Sequence, residues 1–368
     1  MLKYCLAPLA VVVFIPAAAA ESARTEGHPG ANAVLAPLSA AIVIRPQPIS
    51  AKVQFGFVLE PTAATPAPVG SYARGCLAGG VALPITGPTW QVMRLSRNRN
   101  WGHPMLINYI ERFANDMHER EHWTGLLVGD MSQPRGGPML TGHASHQIGL
   151  DVDFWFKPMP AKVLSPLARE TLEATELAKT DGHDVIPTRW HEGWVRLLRR
   201  AASYPEVARI FVHPSIKKEL CEAAQYDRRW MTKVRAYFGH QDHFHVRLHC
   251  PAGSKTCTPQ LDPAPTDGCG KELAFWMKAV SPPPPKIEPP KVTPPLVVAT
   301  TPKPLTPPVK PAVKLGPRVI ALADLPPLCT AVLGEGKPPL LAAVAPGPND
   351  MPMPEPSPAR DAYAAAQP

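Results

Sequence analysis

Residues 142–156 read GHASHQIGLDVDFWF, and the last seven of them alternate in polarity. On an extended chain Leu150, Val152, Phe154 and Phe156 share one face, while Asp151, Asp153 and Trp155 share the other. The stretch is therefore expected to be a strand with an apolar side and a side that projects two carboxylates. His146 lies seven residues before Asp153, and Gly149 between them permits a turn that brings the imidazole back beside that carboxylate. His143 lies three residues further upstream.

A second stretch matches the first. Residues 239–251 read GHQDHFHVRLHCP, with Phe244, Val246 and Leu248 on one strand face and His243, His245, Arg247 and His249 on the other. Pairing the two strands assembles a His, an Asp and a second His, with a spare His beside them. Three protein ligands leave an open position for water, which is the pattern of a catalytic rather than a structural zinc. A spare imidazole there can act as general base or stabilise an oxyanion. Either motif alone is a weak signal. Both together, each on an amphipathic strand, point to metal binding.

Around these strands the sequence mixes periods. Helical spacing is visible in 103–120, 190–205 and 213–226, and short strands are expected at 125–132, 150–156, 208–213 and 243–250. The expected class is α+β, an antiparallel sheet core with flanking helices and the metal site on the sheet. Residues 1–20 read as a secretory signal peptide, with Lys3, an apolar run and three alanines at the cleavage site. Residues 21–69 read as a flexible arm and 70–280 as the compact body. Residues 281–318 form a Pro/Lys-rich linker, and 319–368 a C-terminal segment tethered through Cys329 and then a disordered tail.

The net charge of +8 does not imply a nucleic-acid partner, because residues 281–318 supply five of those charges and hold 14 prolines. Past the signal peptide six cysteines remain, an even number that suggests three disulfides in an exported protein and leaves fifteen pairings open.

The strings GDMSQPRGG (129–137), GHASHQIGLDVD (142–153), RIFVHPSIKKELC (209–221) and HFHVRLHCP (243–251) resemble those of the penicillin-insensitive murein endopeptidases, zinc peptidases of the lysostaphin / D-alanyl-D-alanine peptidase / hedgehog group. The resemblance runs from about residue 70 to 270 and returns at LPPLCTAVL. It implies a Zn²⁺ peptidase of the bacterial periplasm that hydrolyses D-alanyl–meso-diaminopimelyl crosslinks, with His146, Asp153 and His245 as ligands and His243 and His240 as catalytic histidines. A second, peripheral metal position is implied at His143, Asp181 and Asp184, where the family's histidine falls on Asp184. The implied disulfides are Cys76–Cys329, Cys221–Cys269 and Cys250–Cys257. GDMSQPRGG is expected to line the substrate groove or to form a simple turn. The expected partner is peptidoglycan, with a homodimer admitted, and with neither nucleic acid nor stable membrane insertion. Two other readings use the same residues: a D,D-carboxypeptidase, and a non-catalytic peptidoglycan-binding module.

Overall fold

The computed structural model describes residues 49–224, 226–280 and 319–334. The signal peptide, most of the N-terminal arm, the Pro/Lys-rich linker and the final tail lie outside the described residues.

In chain order the elements are α1 (Ala51–Gly56), β1 (Ala67–Ser71), β2 (Arg74–Ala78), β3 (Val81–Ala82), β4 (Trp90–Val92), β5 (Trp101–Gly102), α2 (Pro104–Glu121), β6 (Leu126–Val128), β7 (Asp151–Pro158), α3 (Pro166–Thr171), α4 (Glu192–Ala202), β8 (Val207–Val212), α5 (Pro214–Ala223), β9 (Val234–Ala236), β10 (His243–Leu248), α6 (Lys271–Val280) and α7 (Leu328–Gly334). Six strands form one sheet in the order β4-β6-β7-β10-β8-β9. Its four central strands are antiparallel, as expected for the α+β class. Both edge strands instead run parallel to their neighbours. The reason is the connection: α2 links β4 to β6 and α5 links β8 to β9, and a helical crossover returns the chain in the same direction.

One sheet face packs on helices. The apolar stripe of α2, including Tyr109, Phe113 and Met117, is fully buried. Phe113 meets Phe154 edge-on at 5.2 Å between ring centroids, and Phe154 stacks on Phe244 at 5.3 Å. From α4, Trp194 reaches Phe156 at 5.6 Å. The opposite face of β7 and β10 is thereby left to the polar side chains. Three helices begin on a histidine: the side chains of His103, His191 and His213 accept from the backbone N–H two residues on.

The N-terminal arm needs correction. Residues 49–69 belong to the folded body, with Ser50 capping α1 and both Ala51 and Phe55 fully buried. They join Val69, Cys76, Leu325, Cys329 and Val332 in a small second core. A six-residue helix carries too few apolar positions to show a period in sequence. The three disulfides are Cys76–Cys329, Cys221–Cys269 and Cys250–Cys257.

Phe55 sits directly on Gly137, where a Cβ would come within 2.2 Å of its ring. Truncation by Phe55→Ala is expected to destabilise the protein by about 3–5 kcal/mol in urea denaturation; a change inside ~0.5 kcal/mol would mean that this N-terminal segment is dispensable.

Lys217 of α5 is fully buried and donates to the carbonyls of Asp267 (2.5 Å) and Met231 (3.4 Å). Burial, helped by Arg235 and Arg228 against Glu272 and Asp267, lowers its pKa to about 7 from 10.5. The unfolded chain therefore binds more protons than the folded one between those values, so stability is expected to rise with pH from about 7 toward 10.5 and to be flat below. Urea titrations at pH 6, 8 and 9 should show this rise in wild type and a flatter profile in Lys217→Met.

Candidate active site

The pairing of β7 with β10 sets the site. His245 lies opposite Asp153, Arg247 opposite Asp151 and His243 opposite Trp155. The loop before β7 brings His146 back to the same place, and its backbone takes the left-handed conformation there, with φ +65°. Side-chain hydrogen bonds of Gln147 hold that loop: its amide donates to Ala73 O at 2.7 Å and accepts from Gly75 N at 3.1 Å.

Three donor atoms converge. His146 Nε2 lies 3.0 Å from His245 Nδ1 and 3.4 Å from Asp153 Oδ1, and His245 Nδ1 lies 3.3 Å from the same oxygen. A tetrahedral ion with bonds of ~2.0–2.1 Å spaces its ligands by about 3.3 Å, so this triangle fits one. Asp153 Oδ1 is buried and finds no hydrogen-bond donor in the protein, a position that costs free energy unless a cation takes it. Burial, with smaller contributions from His143 and His245 against Asp153, pushes His146 down to about 4, so it stands as the neutral imidazole that a metal requires.

Asp151 holds the triangle in place. Its Oδ1 accepts from His245 Nε2 at 3.0 Å, which leaves Nδ1 bare toward the triangle, and its Oδ2 accepts from the His146 backbone N–H at 2.9 Å. Arg247 clamps the same carboxylate at 2.8 and 3.3 Å. Burial alone would raise the Asp151 pKa, but Arg247 and His245 hold it well below the usual carboxylate range.

His243 stands at the open side. Its Nδ1 donates to Asp242 at 2.6 Å, and its Nε2 lies 3.9 Å from Asp153 Oδ2. Burial lowers its pKa, but Asp153 and Asp242 outweigh that and raise it to about 9. His240 is set back. It too has positive φ (+61°), donates Nδ1 to Phe238 O at 2.9 Å and lies 5.0 Å, ring to ring, from His243.

The expected second set does not assemble among the described residues. Asp184 is exposed and pairs with Lys218 at 2.6 Å, and Asp181 is exposed. His143 turns inward instead, with Nε2 on Asp130 (2.9 Å) and Nδ1 3.4 Å from Asp153 Oδ2. His143, His146 and Asp153 also stand near enough together to hold an ion. The set with His245 is tighter, and His143 already shares one ring nitrogen with Asp130.

GDMSQPRGG follows the end of β6 at Val128 and lines the cleft through Asp130, which Arg99 (2.8 Å), Arg97 (3.0 Å) and His143 neutralise. The glycines serve packing: a Cβ on Gly136 would meet Gln147 O at 2.0 Å. The roles of Asp130, Asp242 and Arg247 had no motif to announce them. For Arg247 the signal was present, since it shares the strand face of His243 and His245.

The cluster lies at one side of an open cleft of about 690 Å³ whose lining includes Asp130, His143, Asp153, Trp155 and His243. Buried, oriented histidines around a carboxylate at an open cleft are suited to hydrolytic chemistry. Comparison with known proteins agrees. A family model for penicillin-insensitive murein endopeptidases matches residues 68–334, and the chain belongs to that family. Similar relatives carrying that name come from Yersinia pestis (42% identity over 238 residues, 65% of this chain and 85% of the relative) and Klebsiella pneumoniae (43% over 279 residues, 76% and 90%). Another, from Salmonella arizonae, is 43% identical over 267 residues, 73% of this chain and 86% of its own length.

Replacing the clamped carboxylate by Asp151→Asn is expected to weaken metal retention about 10–100-fold, read as metal content after dialysis against a graded chelator. Retention equal to wild type would remove Asp151 from the support of the site.

Proposed function

We propose that this protein is a zinc endopeptidase that cuts the D-alanyl–meso-diaminopimelyl crosslinks of peptidoglycan, in the periplasm behind the signal peptide of residues 1–20. The observation that carries the reading is the triangle of His146, Asp153 and His245, whose spacing suits a metal ion. These three residues would hold the zinc. When bound, zinc supplies Lewis acidity at the scissile carbonyl and brings the pKa of the attacking water toward neutrality.

The chain's own residues supply the rest. Asp151 and Arg247 fix His245 in the tautomer with a bare Nδ1. Asp242 anchors Nδ1 of His243, which leaves Nε2 to exchange a proton at the open side of Asp153. That nitrogen is placed to stabilise the developing oxyanion and to hand a proton to the departing amine. His240, held by Phe238 O, packs behind His243 and sets its ring position. No serine is acylated in this chemistry, consistent with the penicillin insensitivity named for the family.

Purified sacculi digested with the zinc-loaded protein are expected to lose crosslinked dimers, identified by mass, while pentapeptide ends remain. A chelator should stop the reaction and benzylpenicillin should not. His146→Ala and His245→Ala should each lose zinc and dimer cleavage together; full cleavage in either would refute the ligand assignment, and loss of pentapeptides alone would make the enzyme a carboxypeptidase.

A further inference from the structure

The cleft carries cations that the proposed chemistry leaves unused. On β7 the face that bears Asp151 and Asp153 continues through Trp155 to Lys157, and Lys157 lines the cleft. Four residues of strand separate the backbones of Asp153 and Lys157 by about 13 Å. A group within about four residues of the scissile amide on an extended peptide can therefore meet the lysine.

The acids nearest the reacting centre are already matched. Asp130 is held by Arg97, Arg99 and His143, Asp242 by His243, and Asp153 is surrounded by histidines. Arg94 is also engaged: it donates to the carbonyls of Arg169 and Glu170 and lies over the Trp155 ring, 5.1 Å from its centroid. Lys157 and Arg189 differ. Both line the cleft, neither forms an ion pair among the described residues, and Arg189 has only a hydrogen bond to Glu176 O at 3.0 Å. Glu173 and Glu176 share the lining but are exposed and pair with neither cation. A half-buried ammonium without a counter-ion, beside a fixed aromatic wall, favours an anionic ligand group.

We propose that Lys157 and Arg189 form a carboxylate-binding subsite that holds a free carboxylate of the stem peptide, with Trp155 and Arg94 as its wall. The inference rests on the peptidoglycan reading above, in which diaminopimelate brings carboxylates close to the scissile bond. It adds a specificity-determining pair to that reaction: peptides with free carboxylates are preferred over their amidated forms.

The test compares two crosslinked muropeptide dimers, one with free and one with amidated carboxylates, in the intact zinc-loaded protein. Wild type is expected to show a KM about two- to fivefold lower for the free form. Lys157→Gln, with zinc content and thermal unfolding checked against wild type, should raise that KM by a similar factor and leave the amidated dimer unaffected. Lys157→Arg should restore the preference, and Arg189→Gln should act in the same direction as Lys157→Gln. An unchanged KM, or an equal rise for both dimers, overturns the subsite. Calorimetric binding of the uncrosslinked tetrapeptide, free and amidated, separates this from the activity itself. Equal affinities in wild type overturn the subsite whatever the turnover. A preference that Lys157→Gln abolishes supports it, and would refute only the endopeptidase reading if neither dimer were cut.

Discussion

The register between β7 and β10 is the constraint on which the rest of the site depends. Because side chains alternate with a period of two, one pairing serves both faces: Phe244 opposite Phe154 and Val246 opposite Val152 on the core side, His245 opposite Asp153 and Arg247 opposite Asp151 on the cleft side. A slip of one residue would expose the aromatics and bury two carboxylates among α2 side chains. The packing of Phe113, Phe154 and Phe244 therefore also fixes the spacing of the polar cluster. Core and site are two faces of one energetic decision.

Burying this much charge is tolerable only because each carboxylate has cationic or histidine partners. Asp130, Asp151 and Asp153 are all at most 5% exposed. Isolated, each would cost several kcal/mol or take up a proton. Asp130 has two arginines and a histidine, Asp151 has Arg247 and His245, and their carboxyls stay ionised despite burial. Among these carboxylates the Asp153 oxygen that points into the triangle is left without a hydrogen-bond donor. An ion there would satisfy that buried acceptor.

What could be read from sequence followed from periodicity. The alternation in 150–156 and 243–249 gave the two central strands, the shared face of Asp151 and Asp153 and that of His243 and His245, while the choice of His146, Asp153 and His245 as a set came from the family resemblance. The long apolar stripe of α2 was equally plain. Shorter elements were not: α1 has six residues, and β4 and β9 three each, too few to show a period. Non-local partners were also hidden. Nothing in the string around Asp130 says that Arg97 and Arg99 will reach it. Nor does the string around Asp184, expected beside His143 from resemblance, say that it will pair with Lys218.

The terminal segment shows how the loop before β7 is kept in its unusual conformation. Cys329 of α7 is bonded to Cys76 of β2 across 253 residues of chain. Arg135 donates to the carbonyls of Val332 and Leu333 at the end of α7 and to Glu60 O near the N-terminal helix. Arg135 O also accepts from Leu77 N of β2, and two residues on Gly137 N donates to Gln147 O of the site loop. Gln147 is next to His146. The left-handed backbone of His146 is strained for a residue with a side chain, and such strain persists only where the surroundings over-determine it. Here the surroundings are α1 and α7 held against the β1–β2 hairpin, so the second core does for the loop what the aromatic core does for the strands.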